Sequence, residues 1–252
     1  QIVPSLRAGN TVVIKPSEYT SIGTLEMVRL IAEVLPPGVL NTVSGPGEVG
    51  ARLVEDPRID KIMFTGSGAT GAKIAAAAAK NLTPTTMELG GNDAAIVLPD
   101  ADPKAIAMGL FWGAFLNMGQ TCACAKRLYV PDSLHDAVVA ELKGLAEAMP
   151  MGDGMQDGTV MGPIQNRMQF DKVSRLVERA RADGATIVCG GRPADGPGNF
   201  FPLTIVTDID DGAPLVDEEQ FGPVLPIVRY RDVDDAVATA SSSAVRQAAR
   251  HR

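Results

Sequence analysis

Between residues 11 and 88 the chain alternates short β-branched runs with segments of helical period, and that order leaves few folds open to it. Thr11-Val12-Val13-Ile14 reads as a strand that stops at Lys15-Pro16. Ile22, Leu25, Val28, Ile31 and Leu35 then recur at helical spacing until Pro36-Pro37-Gly38. The unit repeats as a strand at Leu40-Asn41-Thr42-Val43 and a short helix near Val49 to Glu55. Another strand follows at Lys61-Ile62-Met63-Phe64, then an alanine-rich helix from Ala72 to Lys80, then a strand at Thr85-Thr86-Met87-Glu88. The pattern predicts an α/β fold with a parallel, doubly wound sheet, whose ligands bind outside the carboxyl ends of the strands. Lys15, Gly66 and Glu88 lie at such ends.

From Asn92 onward a second α/β unit is predicted. It has strands at Ala94 to Leu98, Leu128 to Val130 and Val224 to Val228, and helices at Pro103 to Leu116, Ser133 to Ala148 and Gln165 to Ala182. The last helix places Phe170, Val173, Leu176, Val177 and Ala180 on one face. The periodicity therefore divides the chain near residue 90.

Composition excludes several classes of function. Acidic residues outnumber basic ones 30 to 23, and no basic cluster offers a footprint for nucleic acid or an anionic membrane. No window approaches the roughly 18 apolar residues a membrane span needs, and Gln1-Ile2-Val3-Pro4 lacks the layout of a signal peptide. The chain is expected to be soluble and cytoplasmic. Three cysteines, with Cys122 and Cys124 only two positions apart, fit a reducing compartment. With His135 and His251 the only histidines, neither a Ser-His-Asp triad nor a His-rich metal site has material, so metal-free chemistry is expected. His135 itself reads as a solvated residue opening a helix.

Two residues stand out against that background. Glu88 lies in Met87-Glu88-Leu89-Gly90-Gly91-Asn92, and Cys122 follows 34 positions later in Gly119-Gln120-Thr121-Cys122. A thiol attacks an electrophilic carbon and a separate carboxylate activates the water that releases the product. By itself a cysteine after a helix is more often a small buried hydrophobe. Gly66-Ser67-Gly68-Ala69-Thr70-Gly71 fits G-x-G-x-x-G between a strand and a helix, where backbone N–H groups hold a pyrophosphate. Spacing alone also allows Glu88, 22 residues after Gly66, to be the acid on a ribose.

Taken together, Glu-Leu-Gly-Gly-Asn, Gly-Gln-x-Cys, Lys15-Pro16-Ser17-Glu18, Phe64-Thr65-Gly66-Ser67 and Glu218-Glu219-Gln220-Phe221-Gly222-Pro223 occur in one order and resemble the aldehyde dehydrogenase superfamily. The resemblance covers roughly residues 1 to 240 and implies a partial dinucleotide-binding domain over 1–90, a partial catalytic domain over 91–240 and an aberrant tail over 241–252. It implies that Cys122 is the nucleophile and Glu88 the general base, with Cys124 structural. It implies that Gly66 and Ser67 touch the cofactor phosphates, and that Lys15 and Glu18 reach the adenosine ribose. Glu219 and Phe221 would meet the nicotinamide ribose and ring. An acid at position 18 repels a 2′-phosphate, so NAD is expected, with NADP as the alternative. The implied reaction oxidises a small-molecule aldehyde to a free acid through a thiohemiacetal and a thioester. Phe115, Met118, Thr121 and Ala123 are expected to give the pocket an apolar lining.

The resemblance also sets expectations about extent. The stretch reads as an internal fragment lacking both family termini, because the family's Trp-Asn-Phe-Pro segment would lie upstream. The asparagine of that segment is an oxyanion donor, and losing one such donor costs roughly 2.7–4 kcal/mol. The stretch alone is therefore expected to be nearly inactive, and the complete form a homodimer or homotetramer. Two other readings stand beside this one: a non-catalytic scaffold or truncated reading frame, and an NADPH-dependent semialdehyde or acyl-thioester reductase, which Glu18 and Glu88 disfavour.

Overall fold

The computed structural model describes residues 1–241, which form two compact units that meet in sequence between Leu89 and Gly90. The expected tail at 242–252 lies outside the described residues. The first unit runs α1 (Ile2–Arg7), β1 (Val12–Ile14), α2 (Ser21–Ala32), β2 (Leu40–Thr42), α3 (Gly47–Glu55), β3 (Ile62–Gly66), α4 (Gly68–Ala78) and β4 (Thr85–Leu89). Its strands form two parallel pairs, β1 with β2 and β3 with β4. The second unit runs β5 (Asp93–Ile96), α5 (Pro103–Phe115), β6 (Ala125–Pro131), α6 (His135–Ala148), α7 (Arg167–Ala182), β7 (Thr186–Cys189), β8 (Thr204–Thr207), α8 (Pro214–Asp217), β9 (Val224–Tyr230) and α9 (Val233–Ser241).

In the first unit α2 ends at Ala32, short of Leu35, because the residue before a proline is pushed out of the helical region. Of the predicted apolar stripe only Val28 is buried, and Ile22 is 83% exposed. The buried core consists of Val54, Ile62 and Ala78, with Ile59, Ile74 and Ala77 packed on it. Helix α4 starts where Ser67 accepts a hydrogen bond from the Thr70 N–H at 3.3 Å, a side-chain cap on an otherwise unpaired donor. Gly71 lets this helix approach the sheet, since a Cβ there would lie 2.6 Å from Leu89 Cδ2.

The second unit is a five-stranded sheet in the order β5-β6-β9-β8-β7, parallel except for the antiparallel β7–β8 pair. Both faces are covered. Leu128, Val130, Leu225 and Ile227 pack with Phe111, Phe115 and Leu142 from α5 and α6. Tyr129, Val224 and Val228 pack on the other side with Val173, Leu176 and Val177 of α7 and with Ala236 of α9. Burial on both faces explains the near-continuous apolar reading of β9. Helix α7 buries the five predicted residues and begins two positions later than expected, because Asn166 caps it by accepting from the Gln169 N–H at 2.9 Å.

Strand β6 begins at Ala125 and draws Lys126 and Arg127 into the interior. Arg127 donates through Nε to Asn92 O at 2.8 Å, through Nη1 to the Tyr129 hydroxyl at 3.3 Å and through Nη2 to Ala240 O at 3.1 Å. It thereby ties β5, β6 and α9 together. His135, expected to be solvated, is buried at the start of α6, with Nδ1 3.1 Å from Asp136 Oδ1 and Asp136 in turn paired with Arg229 of β9. Among the described residues no helix is long and apolar enough to cross a membrane. Replacing Arg127 by Met removes three hydrogen bonds and strands buried acceptors, so it should lower the unfolding free energy by on the order of 3 kcal/mol in urea titrations.

Candidate active site

Cys122 is the exposed cysteine of the three; Cys124 is buried and Cys189 half-buried. Its exposure follows from an unusual turn. Helix α5 closes at Phe115, and in the 3-10 segment Leu116–Gly119 three consecutive residues adopt left-handed backbone: Asn117 at φ 52°, Met118 at φ 61° and Gly119 at φ 68°. Left-handed backbone costs a non-glycine residue roughly 1–2 kcal/mol, so the turn persists only because its surroundings hold it. Met118 is buried in the core beside Phe115. Asn117 Nδ2 donates to Gln120 O and Gln120 Nε2 to Asn117 O, both at 3.2 Å. Gln120 Oε1 accepts the Gln165 N–H at 2.9 Å, and the Cys124 N–H donates to Thr121 O at 3.1 Å. Phe115 and Met118, expected to line a pocket, are thus core residues that set the turn's conformation. Thr121 is half-buried and Ala123 exposed.

Against this turn lies Gly90-Gly91. A Cβ on Gly91 would lie 2.8 Å from Cys122 O, and one on Gly90 would collide with the Glu219 carboxyl group. The Gly91 N–H donates to Glu219 Oε1 at 3.0 Å. The following Asn92 is buried and donates from Nδ2 to Val216 O at 2.7 Å. The two glycines therefore bring the cysteine turn and the Glu219 side chain to opposite sides of one bare stretch of backbone.

The segment 219–222 has a side-chain donor on each carbonyl. Lys172 Nζ donates to Glu219 O at 2.5 Å, and Gln169 Nε2 to Gln220 O at 2.5 Å and Phe221 O at 3.1 Å. Lys126 Nζ donates to Gly222 O at 2.8 Å. These bonds hold Phe221 in a left-handed conformation at φ 48°. Burial pushes the Glu219 carboxyl above its ordinary range, against the opposing pull of the Gly91 N–H and Lys172, while Asp93 adds to the rise.

In the first unit Lys15 Nζ donates to Pro16 O at 2.8 Å and Gly45 O at 2.9 Å, and lies 3.5 Å from Glu18. A hydrogen bond from its own backbone, with the Lys15 charge, holds the exposed Glu18 carboxyl below its ordinary range. Gly66 and Ser67 form the passage from β3 into α4. Glu88 is exposed on β4, in register with Thr65 of β3. The second unit gathers Cys122, Glu219 and Phe221, while Lys15, Glu18, Gly66, Ser67 and Glu88 belong to the first. The contacts of Gly90-Gly91 and of Lys126, Gln169 and Lys172 escaped the sequence reading. The Gly90-Gly91 contacts had a visible signal in the glycine pair itself, but Lys126, Gln169 and Lys172 had none, since lysines and a glutamine read as surface residues.

The aldehyde dehydrogenase family model matches residues 1–250, and the chain belongs to that family. A betaine aldehyde dehydrogenase of Cereibacter sphaeroides is 39% identical over 241 residues, covering 95% of this chain and 50% of the relative. The structure of an aldehyde dehydrogenase from Bacillus cereus in complex with NAD+ superposes with a TM-score of 0.91 at 36% identity, covering 94% of this chain and 49% of that one. A 3,6-anhydro-L-galactose dehydrogenase in complex with NAP gives a TM-score of 0.93 at 35% identity, over 96% of this chain and 52% of that one. The chain spans about half the length of the curated relatives it matches.

Two outcomes check this geometry. Gly91→Ala forces its Cβ onto a backbone oxygen and should cost roughly 1–3 kcal/mol, whereas Gly109→Ala, in α5 with nothing within 4 Å of the new methyl, should gain roughly 0.5–1 kcal/mol. Thermal unfolding of the two variants reads both signs. Because Glu219 holds its proton more tightly folded than unfolded, it contributes stability at acid pH that is lost as pH rises through the carboxyl range. Glu219→Gln should therefore flatten the fall in unfolding free energy across that range, and an unchanged pH slope refutes the assignment.

Proposed function

We propose that the complete protein oxidises an aldehyde to a carboxylic acid with a nicotinamide cofactor, through a covalent intermediate on Cys122. The observation that carries this reading is the presentation of Cys122: an exposed thiol on a rigid turn, beside the Gly90-Gly91 backbone and the Glu219 loop, in a chain of the aldehyde dehydrogenase family. The competing thiols are poorly placed. Cys124 is buried, and burial pushes the Cys189 thiol up in pKa, away from the thiolate that does chemistry.

The residues present fit a dinucleotide. Backbone N–H groups at the start of α4, behind Gly66 and Ser67, suit a pyrophosphate, and the Lys15–Glu18 pair suits a ribose diol. Glu219 and Phe221 would face the nicotinamide end, and the negative Glu18 favours NAD over NADP. When bound, the nicotinamide supplies hydride acceptance. The Cys122 thiolate adds to the aldehyde carbon and forms a thiohemiacetal, and once that carbon has been oxidised the group on sulfur is a thioester. Glu88, as general base, takes a proton from water whose oxygen attacks the thioester carbon, and the Cys122 sulfur leaves. The complete form is read as a homodimer or homotetramer.

In the complete enzyme Cys122→Ala should abolish aldehyde-dependent NADH formation. Glu88→Gln should lower steady-state turnover by roughly 10²–10⁴-fold while sparing a first-turnover burst of NADH, because acylation precedes its step. Retained turnover in the cysteine variant would exclude the covalent route.

A further inference from the structure

The second unit buries one lysine that the reaction above does not use. Lys126, 1% exposed, runs its side chain beneath the cysteine turn and donates from Nζ to Gly222 O at 2.8 Å and to Ala114 O at 3.3 Å. The Phe115 ring lies under the ammonium, 5.6 Å from Nζ to its centroid. Among the described residues no carboxylate pairs with it. Gly119 sits directly over the group: a Cβ there would lie 2.6 Å from Nζ and would collide with Gly222 O. One ammonium thus joins the end of α5, the left-handed turn before Cys122 and the segment that carries Glu219 and Phe221.

We propose that Lys126 is a positioning residue that fastens the Cys122 turn to the 219–222 segment, so that nucleophile and cofactor-side residues hold one mutual geometry. The inference rests on the roles given to Cys122, Glu219 and Phe221 above. A buried charge without a counter-ion is expensive, and apolar side chains of similar volume often replace such groups at no cost to stability. What a methionine cannot do is donate to Gly222 O and Ala114 O at once. Burial lowers the Lys126 pKa to about 8, with the Cys124 thiol acting in the opposite direction; the fastened segment itself carries Glu219, with Lys172 on its carbonyl and the Glu218–Arg175 pair beside it. Loss of the proton leaves a neutral amine, a weaker donor to both carbonyls.

The test is amide hydrogen exchange on the full chain, corrected for intrinsic rates, with Lys126→Met and Gln169→Ala as variants. In Lys126→Met, exchange at 118–124 and at 219–224 should rise together by about tenfold, the loss of a charge-assisted bond, while amides of β9 stay protected. Gln169→Ala should loosen 219–224 alone. In the unsubstituted chain, raising the pH from about 7 to about 9.5 should release both segments together, and Lys126→Met should show no such step. Release of one segment only, a uniform rise across the unit, or a pH step that survives in Lys126→Met overturns the proposal. If that variant does not fold, Lys126→Gln decides: joint loosening of 118–124 and 219–224 supports the coupling, and loosening of one segment or of neither refutes it. Exchange reads no chemistry, so retained turnover in Cys122→Ala, which overturns the functional reading, and a failed coupling are separate results.

Discussion

Much of the second unit is organised around a place where two side chains are missing. Gly90 and Gly91 leave bare backbone against which Cys122 O and the Glu219 carboxyl both press, and the Gly91 N–H supplies a hydrogen bond to that half-buried carboxyl. Neither glycine is used for a left-handed conformation; each is used for closeness. The Asn92 amide, bonded to Val216 O, and the Arg127 guanidinium, bonded to Asn92 O, fix that backbone from behind.

The strain sits on either side of this stretch. Asn117, Met118 and Gly119 on one flank and Phe221 on the other hold left-handed backbone, and in each case side-chain donors or core packing over-determine the conformation. Met118 is clamped in the core, and the carbonyls from Glu219 to Gly222 are each met by Lys172, Gln169 or Lys126. The conformation of both flanks thus rests on side chains outside the two flanks themselves.

The alternation of strands and helices was readable because it depends on period and on proline, which act locally. The face of α7 was predicted residue by residue, and β9 stood out because both of its sides are buried. Other features depend on distant partners and left weaker traces. Strand β6 is expected from Leu128 but begins at Ala125, because carbonyls of Ala114 in α5, Asn92, Ala240 in α9 and Gly222 satisfy the buried Lys126 and Arg127 side chains. Strand β8, which has four residues and begins two positions after Pro202, is too short to show a period. Phe115 and Met118 look like pocket residues by their nearness to Cys122 in sequence, yet the left-handed turn sends them inward. The stripe on α2 pointed to a buried face, but within its own unit that helix covers little beyond Val28.

Cys122 and Cys124, separated by one alanine, live in opposite surroundings: the first is open to solvent, while the sulfur of the second lies buried 3.8 Å from Leu116 O. A bulky electrophilic label therefore has a single easy address on this turn. A fluorophore or spin probe attached there would report on the environment of the exposed thiol without any engineered cysteine.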